Sequence, residues 1–152
     1  MAMNNDDVVD VLNTLIETSK DGEEGFRTCA EDIKSPDLKR MFIEAQQSCA
    51  QAAQELRAEV QRLGGKAEKS GSLSGSVHRR WVDIKAAIMG KDDAAVLAEC
   101  ERGEDVAKAS YKKALEQDLP PAIRMIVERQ YQGVLKHHDT VRALEKAAKA
   151  RS

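Results

Sequence analysis

The sequence has few aromatic residues: two Phe, two Tyr and one Trp in 152 positions. Long β-branched runs are also rare, although sheets draw heavily on aromatic and β-branched side chains. Alanine, the strongest helix former, occurs 21 times instead. This composition disfavours a sheet protein and indicates an all-α fold of closely packed helices.

Neither sign of charge dominates, because 24 Lys and Arg face 26 Asp and Glu, for a net charge of −2. A protein built to bind nucleic acid or a membrane surface would show a basic excess, so these partners are not expected. No segment resembles a signal peptide, and none approaches the roughly 18 apolar residues of a membrane span. We therefore predict a cytoplasmic protein.

The three cysteines, Cys29, Cys49 and Cys100, are far apart, odd in number and without a C-x-x-C pair. This spacing fits neither a disulfide framework nor a zinc site. We predict reduced thiols that pack as small apolar side chains on buried helix faces.

Four long segments carry apolar or small residues at alternating spacings of three and four, the pattern of a helix that buries one narrow stripe. Pro36, Leu63-Gly64-Gly65 and Pro120-Pro121 mark the breaks between them. The predicted helices cover residues 6–33, 36–63, 92–117 and 120–149, with a short extra helix at 77–89. Two antiparallel helical hairpins joined by a long crossover form the ferritin-like type of four-helix bundle.

Ferritin-like metal proteins place a glutamate on each of two helices and Glu-x-x-His on the other two. The chain resembles the rubrerythrin-type bundles of this superfamily, in which an aromatic residue lies one heptad beyond each single glutamate. Glu104 followed by Tyr111 matches that pattern. One heptad before Phe26, the first helix has Ser19 at its ligand position. One heptad after Phe42, the second helix has Cys49 and Ala52 in place of Glu-x-x-His, and the matching pair of the fourth helix is Val134 and His137.

Only Glu104 and His137 keep a ligand-type side chain in this alignment. A shift in helix register would bring Glu23, Glu24 or Glu101 inward instead, or replace His137 by its neighbour His138. One carboxylate and one imidazole cannot coordinate and neutralise two divalent ions. We therefore predict no native metal and no other cofactor, and interpret Glu104, Gln130 and His137 as a buried polar cluster whose members hydrogen-bond to one another.

A more specific resemblance, which spans nearly the whole chain, is to a bacterial family of ferritin-like bundles described as a domain of unknown function. It rests on six short stretches: Asp21–Phe26, Leu63–Gly65, His78–Trp81, Gly103–Asp105, Gln130 and His138-Asp139. The resemblance implies the fold and a bacterial setting that is sometimes linked to stress responses. It implies no reaction.

Basic and aromatic side chains occur together at His78-Arg79-Arg80-Trp81. Such a group could bind phosphates and stack on bases, but it is small, and we interpret Trp81 as an apolar anchor of the short helix. The Lys and Glu residues that alternate on the second and fourth helices are interpreted as solvated faces.

The sequence favours a non-enzymatic structural or interaction protein that forms a small homo-oligomer. The first alternative is a metal-dependent iron or manganese oxidase or ferroxidase that uses Glu104, His137 or His138, and Glu23 or Glu24. The second is a ferritin-fold protein that coats DNA, for which the C-terminal Lys146, Lys149 and Arg151 form only a weakly basic tail.

Overall fold

The computed structural model describes residues 3–66 and 92–151. This part of the chain folds into four α-helices, with no strand among its residues. The helices are α1 (Asn5–Asp32), α2 (Pro36–Arg62), α3 (Asp93–Leu115) and α4 (Pro121–Arg151). The all-α prediction is thus confirmed, and the predicted helix ends lie within about two residues of the observed ones. The short helix predicted at 77–89 and the His78–Trp81 group lie outside the described residues.

Polar side chains cap the N-termini of the helices. They accept hydrogen bonds from backbone N–H groups that have no partner within the helix. The side chain of Asn4 accepts from the amide of Asp7 at 2.8 Å, and that of Asp92 from the amide of Ala95 at 2.9 Å. Asn4 and Asp92 are therefore the N-cap residues of α1 and α3.

Asp93 connects the start of α3 to the turn between α1 and α2. Its carboxylate accepts from the amide of Lys34 at 2.8 Å and from that of Ser35 at 3.1 Å. Ser35 in turn caps α2, ahead of Pro36 in the first turn. One side chain thus fixes three helix ends at the same pole of the bundle.

The helices pack unevenly around the core. α1 packs along α2, α3 along α4, and α1 against α3, whereas α2 and α4 come close to each other at few points. The apolar and small residues that recur at spacings of three and four along α1 and its C-cap are all buried: Val8, Leu12, Leu15, Ser19, Gly22, Phe26, Cys29 and Ile33. The stripes of α2 and α4 are only half-buried around Cys49, Ala52, Val134 and His137, because these two helices stand apart there.

None of the described helices combines the length and apolar character that a bilayer crossing requires.

The C-terminal turn of α2 depends on two glycines. Gly64 has a φ of +80°, a backbone conformation that favours glycine. Gly65 packs directly on α1, since a Cβ added to it would lie 2.7 and 2.9 Å from the two methyl carbons of Val9. Val9 is β-branched and stiff, so it has little freedom to move aside.

We expect Gly65→Ala to lower the free energy of unfolding by about 1–3 kcal/mol, because the added methyl group clashes with Val9. Adding Val9→Ala should recover part of that loss. Urea unfolding followed by circular dichroism measures both effects.

The matched control is Gly133→Ala in α4, where an added Cβ meets no atom within 4 Å. We expect this variant to be more stable by about 0.5–1 kcal/mol, the ordinary gain for replacing glycine in a helix. A Gly65→Ala variant as stable as the parent chain would contradict the packing described here.

Candidate functional site

A cavity of about 730 Å³ lies between α2 and α4, at the level where these helices separate. It is open to solvent, and exposed residues such as Ser48 and Lys136 form its rim. Its lining includes all six positions that sequence analysis assigned to the interior: Ser19, Cys49, Ala52, Glu104, Val134 and His137. The predicted helix register is therefore the observed one. The same wall also carries charged residues, so the interior is less apolar than the six positions alone suggest.

Glu104 and His137 are in hydrogen-bond contact across the α3–α4 interface. One carboxylate oxygen of Glu104 contacts Nδ1 of His137, and the glutamate is only 3% exposed. Phe26 packs edge-on against the imidazole, with ring centroids 5.1 Å apart. A metal ion at this position would need the carboxylate of Glu104 as a ligand. That carboxylate already contacts the side chain of His137.

The cysteine thiols around this pair stay protonated at neutral pH. Burial, followed by the negative charges of Glu104 and Glu23, raises the pKa of Cys49 to about 12. Burial and contact with Cys29 raise the pKa of Cys100 well above its ordinary value. All three cysteines are free, and a protonated buried thiol is a poor nucleophile.

A chain of polar side chains forms another part of the cavity wall. Tyr111 donates its hydroxyl hydrogen to Oε1 of Gln130 at 2.7 Å, and Nε2 of Gln130 donates to Glu55 at 2.7 Å. Arg129 pairs with the same glutamate, and Ser19 Oγ lies 3.4 Å from the hydroxyl of Tyr111. Gln130 therefore binds Tyr111 and Glu55, so the predicted cluster with Glu104 and His137 is wrong for this residue.

His138 belongs to a second polar group on α3 and α4. Its Nε2 lies 2.7 Å from Oδ1 of Asp105 and 3.8 Å from Oε1 of Glu101. A hydrogen bond with Glu145, together with partial burial, raises the pKa of Glu101. The two neighbouring histidines thus have different surroundings: His137 lines the cavity with Glu104, and His138 binds the carboxylates beside it.

The remaining candidate residues do not join Glu104 in a ligand group. Glu24 is on the surface and pairs with Arg27. Glu23 is half-buried, and its negative charge acts on the thiol of Cys49 and on Arg27. Asp139 is exposed, and its carboxylate lies 3.8 Å from Nδ1 of His138.

Sequence reasoning missed the bridge between Glu55 and Arg129, because it assigned the Glu residues of the second helix to a solvated face. It also missed Asp105 and Glu145 as neighbours of His138. A charged residue next to a buried stripe has the same pattern whether it faces water or another helix. Only the polar Gln130 within the α4 stripe hinted that α2 and α4 exchange hydrogen bonds.

The residues present do not fit the metal centre of ferritin-like proteins. Of six ligand positions, two hold ligand-type side chains, and those two bind each other. Within residues 3–66 and 92–151, no group of three or more His, Cys, Asp or Glu side chains has an arrangement that could hold a metal ion. The donors that two bridged cations require are therefore not assembled here.

The family model described as "Domain of unknown function (DUF2383)" matches residues 7–117, which include most of α1, all of α2 and α3, and Glu104. The chain belongs to the DUF2383 family. The resemblance predicted from its sequence motifs is thereby confirmed. His137, the partner of Glu104, lies beyond the matched residues. No protein of curated function matches the chain by sequence.

Two solved structures share the fold. A two-domain protein from Anabaena variabilis, containing DJ-1/ThiJ/PfpI-like and ferritin-like domains, is 14% identical with a TM-score of 0.79. That match covers 99% of this chain and 39% of the Anabaena chain, so this chain spans about two fifths of its length. At such identity, the likeness shows the fold alone.

The other structure is the bacterioferritin-related protein of Bacteroides fragilis, a dodecameric thioferritin. It is 13% identical with a TM-score of 0.75, and the match covers 98% of this chain and 89% of that chain. Together, the two structures confirm the predicted ferritin-like four-helix bundle.

The pKa of Glu101 predicts a pH dependence of stability. A carboxyl group whose pKa rises on folding binds its proton more tightly in the folded state, so its contribution to stability is lost as the pH rises through the raised value. Above that raised value the ionised Glu101 is repelled by Glu145 and Asp105, and the repulsion by Glu145 exceeds the attraction by His138. The guanidinium of Arg142, 3.9 Å from Oε1 of Glu101, is exposed and adds little. We expect Glu101→Gln to melt at a higher temperature than the parent chain at pH 7.5, and this difference to shrink towards pH 5.

The control is Glu31→Gln, at an exposed position of α1 outside the His138 group. Its difference from the parent chain should stay nearly constant between pH 7.5 and pH 5. Thermal unfolding across that range measures both variants, and a Glu101→Gln variant less stable than the parent chain at pH 7.5 would contradict the repulsion.

Proposed function

We propose that this protein is a non-enzymatic ferritin-like bundle that serves as a structural or interaction protein, with a degenerate metal site. The observation that carries this proposal is the contact between Glu104 and His137. These two residues are at the metal-ligand positions that keep a ligand-type side chain, and their side chains contact each other. Ser19, Cys49, Ala52 and Val134 hold the other four positions.

The state of the thiols supports the same function. An enzyme that uses a cysteine as its nucleophile or redox group needs a thiolate at neutral pH, whereas burial keeps Cys49 and Cys100 protonated. Reduced, unpaired cysteines also support a cytoplasmic location. A bacterial, stress-associated role is what the family resemblance implies, and it stays part of this proposal.

The proposed assembly is a homo-oligomer. The Bacteroides relative forms a dodecamer, and the described surface of this chain exposes two large apolar side chains, Ile43 on α2 and Met125 on α4. We expect light scattering after size-exclusion chromatography to give a mass above that of one 16.8 kDa chain. A single-chain mass at all concentrations would contradict the oligomer.

Metal analysis and an iron assay test the non-enzymatic function directly. Protein purified without chelator should contain no stoichiometric iron or manganese, and it should not accelerate the aerobic oxidation of iron(II). Glu104→Gln should change neither result, but it should lower the free energy of unfolding by about 1–3 kcal/mol, because it weakens a buried charge-assisted contact.

Glu24→Gln provides the matched control, because its carboxylate is exposed and pairs only with Arg27 among the ion pairs of the described residues. It should leave metal content, oxidation rate and stability nearly unchanged. About two metal ions per chain with turnover, both lost in Glu104→Gln and kept in Glu24→Gln, would overturn the proposal and establish the metal-dependent oxidase.

A further inference from the structure

The side of the bundle between α2 and α4 has two rims of opposite charge. Each rim consists of residues spaced three and four apart, which lie on one side of their helix. The rims are Glu44, Ser48, Gln51 and Glu55 on α2, and Arg129, Gly133, Lys136 and Thr140 on α4. The α2 rim is thus acidic at two positions, and the α4 rim is basic at two.

Glu55 and Arg129 already pair with each other across the gap. The other two charged residues, Glu44 and Lys136, are exposed and belong to none of the ion pairs among the described residues. Each copy of the chain therefore presents an acid on α2 and a base on α4, from the same side of the bundle, to a molecule that docks there.

The direction of the helices decides which rim residues lie at the same height. α2 and α3 begin at the same pole, so α4 runs antiparallel to α2. The hydrogen bond between Gln130 and Glu55 fixes the relative height of the two helices. Counting along both at about 1.5 Å per residue, Glu44 is roughly one turn from the height of Lys136.

A two-fold axis can relate two such sides in two ways. An axis parallel to the helices places α2 of one copy opposite α4 of the other at unchanged height, so Glu44 comes within reach of the partner's Lys136 twice in the dimer. An axis across the helices places α2 against α2, where acidic residues meet acidic residues. Because like charges in an interface are costly, the charges select the parallel axis.

An exposed methionine fits the same arrangement. Met125 is 72% exposed and lies one turn before Arg129 on α4. The exposed Ala58 is at the matching height of α2, so the parallel axis brings Met125 onto the partner's Ala58. An apolar contact thus accompanies the ionic ones.

The size of this side is that of a specific interface. α2 has 27 residues and is therefore about 40 Å long, and two helices side by side are about 20 Å wide. The side measures about 800 Å², the area that each partner contributes to a protein–protein interface of standard size.

We propose that two copies of this chain associate through their α2–α4 sides about a two-fold axis parallel to the helices, with Glu44 of each copy paired to the partner's Lys136. This inference rests on the homo-oligomer proposed above and names the surface that forms it. It does not depend on the absence of catalysis, so the iron assay and the experiments below can fail independently of each other.

Charge reversal tests the pairing. Glu44→Lys and Lys136→Glu each create two like-charge contacts in a dimer, so each should weaken association about tenfold or more. The double variant restores opposite charges and should recover most of the parent affinity. Sedimentation of the full chain over a range of concentrations at low salt measures all three.

Ile43→Lys is the matched control. It introduces the same charge one residue earlier in α2, where the side chain points about 100° away from that of Glu44. This variant should associate as the parent chain does, whereas Met125→Lys on α4 should weaken association.

Cross-linking locates the contact directly. ¹⁴N- and ¹⁵N-labelled chains are mixed and treated with a carbodiimide, which joins a carboxylate to an amine in contact with it. We expect a mixed-isotope peptide pair that joins Glu44 of one copy to Lys136 of the other.

Three results would overturn the proposal: a single-chain mass at all concentrations, association unchanged in both Glu44→Lys and Lys136→Glu, or association lost in Ile43→Lys and kept in Glu44→Lys. The first result also removes the homo-oligomer proposed above, whereas the other two keep the oligomer and place its surface elsewhere. Circular dichroism of each variant establishes that it is folded.

Discussion

A carboxylate that is almost completely buried in the middle of the bundle constrains the rest of the structure. Glu104 cannot stay ionised in this position without a partner, because removing a charge from water is costly. In ferritin-like metal proteins, cations meet that need, whereas here His137 does so from the neighbouring helix. Once the imidazole takes this role, its second nitrogen, Nε2, has no hydrogen-bond partner among the described residues.

The packing of the helices sets the shape of the interior. α1 lies against both α2 and α3, so its stripe is fully buried, whereas α2 and α4 come close to each other at few points. The small side chains of Cys49 and Ala52 do not fill that space. Gln130 and Arg129 cross it by hydrogen bonding to Glu55. The gap is thus bridged by polar contacts at one level and open at the next.

Much of the fold could be predicted from the sequence, because the helical period fixes which side chains share a face. The breaks at Pro36 and Gly64, the four helices and the inward direction of Glu104 and His137 all follow from it. The separation of α2 from α4 does not, since spacing within one helix carries no information on its distance from another. Single-sequence patterns therefore predicted the lining of the cavity, but not the cavity.

The polar contacts of the site were predicted less well, for a related reason. Glu55, Arg129 and Asp105 have the sequence pattern of solvated residues, and only the packing of α2 and α3 against α4 gives them partners. The sequence pattern could not show which of His137 and His138 faces the interior. Adjacent helical residues point about 100° apart, and each of these two side chains meets a carboxylate of α3: Glu104 for His137 and Asp105 for His138. Their assignment needed the actual position of α3.

The three thiols give the molecule built-in reporters of its own opening. Cys29 on α1 and Cys100 on α3 have no exposed surface, whereas Cys49 on α2 borders the cavity. An alkylating reagent therefore reaches the first two only when the helices come apart, and the third when the interior merely widens. The rate at which each sulfur is labelled separates global unfolding from local breathing in the unaltered protein, with no dye or engineered residue.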